Sequence, residues 1–169
     1  MEINQALLVI DMQHGLVQRE VFNKQILIDN INRLISFFHE QNKPVFLIRH
    51  TNNSFSIENT EDWQICSKLS LSDKDTYINK SHSSIFKEKE FLALIRDERI
   101  TNVVVVGLVT NGCIQAACLD AIKLGFSTTL ISDAHSTFHK DAEKVILDWN
   151  VSLKNQGVQL LSTDEYLSL

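Results

Sequence analysis

The stretch Val103–Phe126, VVVVGLVTNGCIQAACLDAIKLGF, decides the fold of this chain. Its four consecutive valines predict a strand over Asn102–Gly107 that is buried on both faces. A turn with a glycine at each end follows, and then a helix over Cys113–Leu124 that Gly125 ends. The next apolar run, Phe126–Ile131, predicts another strand. This order of strand, helix and strand indicates a crossover unit of a parallel sheet.

The same alternation of short apolar runs and helical spacing continues on both sides of this stretch. Runs of this kind lie in parallel sheets covered on both faces, and their crossovers are right-handed. The pattern therefore predicts an α/β fold, a three-layer α/β/α sandwich with a mainly parallel, doubly wound sheet. The other predicted elements are strands over Ala6–Ile10, Pro44–His50 and Val158–Leu161, a short extended piece over Thr76–Asn79, and helices over Lys24–Gln41, Glu88–Arg96 and about Lys140 to Asn155.

Composition restricts the protein class. The chain has 169 residues, 44% of them hydrophobic and 22% charged, which favours a single globular domain over residues 1–169. Its net charge of −5 and the lack of basic runs argue against nucleic acid as a partner. No apolar run reaches the roughly 18 residues of a membrane span, and no cationic leader precedes the first strand, so we expect a cytoplasmic protein without membrane contact. The three cysteines form no CxxC pattern, so at least one is expected to be a free thiol.

One segment departs from the pattern. Thr51–Asp75 has no apolar run comparable to the predicted strands, and it is expected to be a long excursion over the surface. Loops of this length often serve function, and disorder is the plainer alternative. Its aromatic residues Phe55 and Trp63 are expected either to form part of a pocket or subunit contact or to pack at the surface.

Three residues that follow strands are candidates for chemistry. Ligands of open α/β sheets bind beyond the carboxyl ends of the strands. Asp11 follows the first strand, Lys80 follows the extended piece, and Cys113 follows the valine strand. Although they lie far apart in sequence, the predicted sheet would bring all three to one edge.

Cys113 is the candidate nucleophile. At a helix start beside an ammonium its thiol is expected to have a lowered pKa, although a small buried residue there is an equally good interpretation. Cys66 and Cys118 receive no role. Taken alone, Asp11 is more simply a helix cap or a structural partner, and Lys80 an ordinary exposed lysine.

Several segments resemble the isochorismatase-like cysteine hydrolases, a family that includes nicotinamidases and N-carbamoylsarcosine amidohydrolases. ALLVIDMQ at Ala6–Gln13 is similar to the opening strand of that family, and KSHSSIF at Lys80–Phe86 is similar to its lysine motif. Val103–Phe126 resembles the nucleophile segment, and LISDAHST at Leu130–Thr137 resembles the strand that ends in Asp-Ala. The similarity spans nearly the whole chain in the expected order.

The resemblance implies a parallel sheet of six strands and a catalytic triad of Asp11, Lys80 and Cys113. It also implies a cis peptide bond between Leu108 and Val109. The backbone N–H groups of Val109 and Cys113 would then form an oxyanion hole, which typically lowers a barrier by roughly 3 to 4 kcal/mol per donor.

Four further residues are expected near the substrate. Gln13 and Phe86 are expected to line the pocket, and Thr110 and Asn111 to contact substrate, with a plain turn-forming role for Asn111 as an equal alternative. His135 is a further candidate whose role the sequence leaves open.

No metal or other cofactor is expected. Metal-containing nicotinamidases of this family carry an Asp-x-His pair after the second strand, with further histidines beyond it. This chain has Arg49, His50, Thr51 and Asn52 there and no further histidine before His82. A metal site with three ligands is therefore not predicted, and nicotinamidase activity is doubtful.

The resulting hypothesis is an amidohydrolase-like enzyme that cleaves a C–N bond of a small amide, carbamoyl compound or related substrate through a thioester on Cys113. One alternative is a catalytically idle member that binds a small molecule or a partner in the same cleft. Another is a redox sensor using Cys113 and Cys118, which is disfavoured because five positions on a helix separate the two side chains by about 140 degrees. By analogy with the family, a homodimer or higher homo-oligomer is expected.

Overall fold

A computed structural model describes residues 4–169. The strands are β1 (Gln5–Ile10), β2 (Val45–His50), β3 (Thr76–Lys80), β4 (Asn102–Leu108), β5 (Ser127–Ser136) and β6 (Gln159–Leu161). The helices are α1 (His14–Val17), α2 (Lys24–Glu40), α3 (Lys89–Asp97), α4 (Gln115–Lys123), α5 (Ala142–Asn155) and α6 (Thr163–Leu167). None of these helices is both long enough and apolar enough to cross a membrane.

The six strands form one parallel sheet in the order β3-β2-β1-β4-β5-β6, which confirms the predicted fold class. The order reverses between β1 and β4, the two central strands. Such a switch point opens a crevice at the carboxyl ends of the strands. The residues that follow β1 and β4 therefore lie at the natural binding position of this sheet.

Two apolar layers cover the sheet, one on each face. Side chains alternate along β1, so that Leu7 and Val9 face one layer, whereas Leu8 and Ile10 face the other. The first layer is made with α1, α2 and α6, and the second with α3, α4 and α5. The three-layer arrangement predicted from the apolar runs is thus confirmed.

Gly107 permits the close approach of β4 to β1. It pairs with Ile10 and has a φ of 118°, which an L side chain rarely adopts. A Cβ atom at this position would lie 2.1 Å from the carbonyl oxygen of Ile10. The glycine therefore fixes the spacing of the two strands directly beside Asp11.

The structure adds two short helices, α1 and α6, that the sequence did not predict, and it differs from the predicted elements at the following places. The extended piece predicted over Thr76–Asn79 is a full strand at the sheet edge, and it includes Lys80. The strand at Ser127 continues to Ser136, beyond the predicted Ile131. The regular helix begins at Gln115, because a wide turn of π-helical type over Thr110–Ile114 precedes it and holds Cys113.

Candidate active site

Lys80, Asp11 and Cys113 meet at the carboxyl edge of the sheet. The Lys80 Nζ atom lies 3.3 Å from Asp11 Oδ2 and 3.2 Å from Cys113 Sγ. It also donates to His50 Nδ1 at 3.1 Å and to the carbonyl oxygen of His82 at 3.1 Å. The Lys80 side chain is buried, so its charge acts on these neighbours with little screening by solvent. The ammonium is thus the centre of the candidate site.

Asp11 is held at the end of β1 in a left-handed conformation with a φ of 53°, which aspartate tolerates better than most residues. Its backbone N–H donates to Ile48 at 3.0 Å, which fixes its place against β2. Burial raises the pKa of the carboxyl group, and Lys80 opposes this effect. The Oδ1 atom is buried and has no hydrogen-bond donor within residues 4–169. Asp11 therefore carries an acceptor atom that is free to take a proton.

The Cys113 sulfur faces that carboxylate. A carboxylate oxygen of Asp11, a ring nitrogen of His50 and the Cys113 sulfur all lie within 4.8 Å of one another. Burial and the negative charge of Asp11 raise the pKa of the thiol to about 12, and the attraction of Lys80 only partly offsets them. The expected lowering of this pKa is therefore wrong for the resting site. Cys113 holds its proton at neutral pH, and the nearby carboxylate is the group that can remove it.

His50 is a member of this site that the sequence indicated only as part of a missing metal motif. Its Nδ1 accepts from the ammonium, so the proton of the neutral ring is on Nε2. Burial and the charge of Lys80 lower the pKa of the imidazole. The ring also stacks on Phe55, with centroids 5.8 Å apart and an interplanar angle of 5°. The signal available in the sequence was its position as the last residue of β2, the strand beside β1.

The peptide bond between Leu108 and Val109 is cis, as the family resemblance implied. No acceptor in the described part of the chain takes the backbone N–H of Val109. The carbonyl oxygen of Val109 accepts from Gly112 and Ile114, which closes the turn around Cys113. This turn places a free N–H donor four residues before the candidate nucleophile.

Gln13, expected to line the pocket, is instead fully engaged inside the protein. Its Nε2 donates to the carbonyl oxygen of His50, to Ser56 Oγ and to the carbonyl oxygen of Trp63, at 2.8 to 3.0 Å. Its Oε1 accepts from the backbone N–H of His50. Both amide hydrogens are thus used in joining the end of β1 to β2 and to the excursion, and the side chain is buried. Gln13 positions His50 and leaves no donor for a substrate.

Phe86 is also buried, away from solvent. Its ring centroid lies 5.4 Å from that of Phe91 and 5.5 Å from that of Phe126. The residue therefore fills the apolar layer beneath the lysine motif and exposes little surface to a ligand.

Asn111 is exposed on the turn, where its Oδ1 accepts from Thr137 Oγ1 at 3.0 Å.

Thr110 is anchored by a buried histidine. Asn150 donates to the carbonyl oxygen of Ser132 and accepts from His135 Nε2 at 2.7 Å. The other ring nitrogen, Nδ1, therefore accepts from Thr110 Oγ1 at 2.7 Å. Burial lowers the pKa of His135 to about 4. The neutral ring ties the start of the nucleophile turn to β5 and α5, and Thr110 has its hydroxyl proton committed to that contact.

Acidification is expected to weaken the fold through His135. The unfolded chain takes up a proton near the ordinary histidine pKa of about 6.5, whereas the folded chain resists protonation down to about 4. Stability is therefore lost as the pH falls through this window, by about 2 to 3 kcal/mol between pH 7 and 4.5. Urea unfolding at the two pH values measures this loss. The His135→Gln variant keeps a donor and an acceptor without a titratable ring, and an equal pH-dependent loss in this variant would contradict the assignment.

The excursion Thr51–Asp75 is packed onto the site. Trp63 is buried, and its Nε1 donates to Thr51 Oγ1 at 3.0 Å. The guanidinium carbon of Arg49 lies over the Trp63 ring, 3.7 Å from the ring centroid. Ile65 forms a β-bridge with Gln13. The excursion is therefore a structured part of the site wall.

Comparisons with known proteins agree with this architecture. The family model of the isochorismatase domain matches residues 5–165. The chain belongs to the isochorismatase family. An isochorismatase family protein of Bacillus subtilis, YrdC, is 26% identical over 181 residues, covering 99% of this chain and 97% of that protein. Nicotinamidase 3 of Arabidopsis thaliana is 25% identical over 158 residues, covering 84% of this chain and 78% of that protein.

Among solved structures, the pyrazinamidase of Pyrococcus horikoshii in complex with zinc has the same fold. It superposes with a TM-score of 0.81 at 22% identity and covers 94% of this chain and 99% of its own. The family match makes the chain an isochorismatase-family hydrolase, and a nicotinamidase is among its sequence relatives.

The zinc of that neighbour raises the question whether this chain holds a metal. Within residues 4–169, only Asp11, His50 and Cys113 place three ligand atoms close enough together. The Lys80 ammonium already contacts all three at 3.1 to 3.3 Å and so fills the position of a cation. Asn52, after β2, uses its side-chain oxygen for the backbone N–H groups of the following turn. With the ammonium in that position, Asp11, His50 and Cys113 do not fit a metal site.

Proposed function

We propose that this isochorismatase-family hydrolase cleaves a C–N bond of a small amide, carbamoyl compound or related substrate through a thioester on Cys113. The observation that carries the proposal is the position of one buried ammonium, 3.3 Å from the Asp11 carboxylate and 3.2 Å from the Cys113 sulfur. A thiol, a base and a positive charge so placed are the components of nucleophilic catalysis.

The first step joins the sulfur to the substrate carbon. Asp11 Oδ1, a buried atom to which no donor of residues 4–169 is hydrogen-bonded, takes the thiol proton as the S–C bond forms. The electron pair of the carbonyl double bond moves to its oxygen, which the N–H groups of Val109 and Cys113 bind. Because Asp11 loses its charge as the oxyanion gains one, the net charge of the buried site stays constant.

The second step breaks the C–N bond. Asp11 returns its proton to the leaving nitrogen, and the oxyanion collapses to a thioester with release of ammonia or an amine. Water, deprotonated by the same carboxylate, then attacks the thioester carbon, and its proton returns to the Cys113 sulfur as the acid leaves. Lys80 stabilises the negative charge wherever it resides in this cycle.

The geometry gives less support to the other hypotheses. A redox pair would need Cys118, which is buried in the apolar layer, whereas Cys113 faces Asp11 and Lys80. An idle binding protein has no need of a proton acceptor beside a thiol. Three expectations remain predictions of the sequence: a single domain over residues 1–169, a cytoplasmic location and a homo-oligomer. Residues 1–3 of that domain lie outside the described chain.

A substrate screen, combined with trapping of the acyl-enzyme, tests the proposal. Small primary amides, carbamoyl compounds and nitriles are supplied, ammonia release is measured, and the active reaction is quenched within the first turnovers. Intact-protein and peptide mass spectrometry is expected to find the acyl group on the peptide that contains Cys113. A burst of ammonia without a matching adduct would contradict the thioester, and no ammonia from any member of the panel would count against C–N hydrolysis.

A further inference from the structure

The loop that follows Lys80, residues 81–84, bends so that one of its carbonyl oxygens faces the ammonium of that lysine. The carbonyl oxygen of His82 accepts from Lys80 Nζ at 3.1 Å. This oxygen exchanges no proton in the proposed reaction. A lysine side chain is a flexible stem that ends in a compact charge, so fixed acceptors are needed to keep that charge in one place. The position of the ammonium therefore depends on how this loop is held.

Glu88 holds the loop through its backbone. Glu88 Oε1 accepts from the backbone N–H of Ser81 at 2.9 Å and from that of His82 at 3.4 Å. The same oxygen lies 2.8 Å from His82 Nδ1. The two N–H groups belong to the peptide units directly before the His82 carbonyl. The carboxylate therefore restricts the direction in which that carbonyl points.

Glu88 is itself anchored by the apolar layer beneath it. It follows a 3-10 turn over Ile85–Lys87, and its backbone N–H donates to the carbonyl oxygen of Ile85 at 3.0 Å. Ile85 and Phe86 in this turn are buried in that layer. A side chain that begins at a fixed backbone can hold a second segment in place with less loss of conformational entropy. The core thus supports the loop by way of Glu88.

The carboxylate of Glu88 does not serve the helix that it precedes. Glu88 is the N-cap residue of α3, but its side chain accepts no capping hydrogen bond from that helix. Partial burial would raise the pKa of the carboxyl group, but the hydrogen bonds from the His82 ring and from the Ser81 backbone outweigh this effect and lower the pKa. The charged carboxylate is therefore directed at the loop after Lys80.

We infer that Glu88 is a positioning residue, which keeps the His82 carbonyl, and through it the Lys80 ammonium, in place. From that place the ammonium can stabilise both the carboxylate and the sulfur of the candidate site. The inference rests on the proposed function and adds a residue to it. Because Glu88 acts through the loop and not on the substrate, its loss is expected to change kcat and to leave KM nearly unchanged.

The rate at which iodoacetamide alkylates Cys113 tests this role without a substrate. The thiolate is the reacting form, and the charge of Lys80 opposes the rise that burial causes in the pKa of this thiol. A displaced ammonium therefore leaves less thiolate at a given pH. Glu88→Ala is expected to slow alkylation of the Cys113 peptide about fivefold at about pH 8, measured by mass spectrometry. For the amide that the screen finds active, kcat is expected to fall about tenfold, with KM within about twofold.

A merely structural role of Glu88 predicts the opposite change. A loosened or partly unfolded protein exposes its buried thiols, and alkylation of Cys113 becomes faster. Alkylation that is unchanged or faster in Glu88→Ala would therefore overturn the inference.

Glu90→Ala is the matched control, because Glu90 is exposed in the first turn of α3 and carries the same charge two residues further along the chain. It is expected to leave both rates within about twofold of the parent protein. Glu88→Gln keeps an oxygen that can accept from the N–H groups of Ser81 and His82, and it is expected to recover most of both rates. If Glu88→Gln or Glu90→Ala is as slow as Glu88→Ala, the effect belongs to negative charge at the helix start and the inference fails.

The two rates separate this inference from the proposed function. If amides are hydrolysed but neither rate depends on Glu88, the inference alone fails. If alkylation depends on Glu88 but no amide is hydrolysed, the positioning of Lys80 stands and the proposed hydrolysis fails.

Discussion

Replacing Cys113 with alanine is expected to lower kcat by about 10⁴-fold or more, with the fold intact. Loss of a nucleophile removes the covalent route entirely, and effects of this size are usual for residues that act as one unit. Lys80 keeps Asp11, His50 and the carbonyl oxygen of His82 as partners, so the buried charges remain paired in the variant. Ammonia release measures activity, and circular dichroism with thermal unfolding measures the fold.

Cys118→Ala is the control for loss of a thiol. Cys118 packs in the apolar layer on the α4 side of the sheet, and its removal leaves the candidate site unchanged. We expect near-normal kcat and a stability loss of about 1 kcal/mol from the small cavity. Retained hydrolysis in Cys113→Ala would rule out covalent catalysis, and lost hydrolysis in both variants would show that thiol loss in general is damaging.

Gly107→Ala is expected to destabilise the protein by about 3 kcal/mol or more. The added Cβ would lie 2.1 Å from the carbonyl oxygen of Ile10 and 2.8 Å from its nitrogen, at a φ of 118°. Both atoms belong to the central strand, so neither can yield as a flexible side chain would. Because Asp11 follows Ile10 directly, loss of activity is expected as well. Urea unfolding measures the free-energy change.

Gly125→Ala is the control that separates the cost of a left-handed backbone from the cost of the steric clash at position 107. Gly125 also has a positive φ, 89°, but a Cβ there meets nothing within 4 Å. This variant is expected to lose only about 1 to 2 kcal/mol, the cost of a left-handed alanine. If Gly107→Ala is no less stable than this control, β4 and β1 are not held at the spacing described here.

The strands that the sequence predicted well are those buried on both faces. Runs such as the four valines of β4 have one interpretation in a parallel sheet, and the crossover rule then orders them. The edge strand β3 was harder to predict, because its residues alternate between exposed and half-covered positions before Lys80. Helix α6 was missed, although Ser162 and Glu165 form a capping box that is visible in the sequence.

In the candidate site, too, some features could be predicted from the sequence and others could not. The places of Asp11, Lys80 and Cys113 follow from the carboxyl ends of their strands. The direction of the thiol pKa shift does not, because it depends on how deeply the sulfur is buried and how near the carboxylate lies. The engagement of Gln13 depends on contacts with the end of β2 and with the excursion, which no local pattern encodes.

The crowding around Lys80 has a consequence for how the proposed reaction can move charge. Its ammonium has three hydrogens but four neighbours within 3.3 Å: a carboxylate oxygen, a ring nitrogen, a carbonyl oxygen and the sulfur. One neighbour is always left without a hydrogen. When the thiol proton moves to the carboxylate and negative charge passes by way of the sulfur to the substrate oxygen, a small rotation about the last carbon–nitrogen bond of the lysine redistributes the hydrogens. The heavy atoms stay where they are, and the site meets the new charge without rebuilding itself.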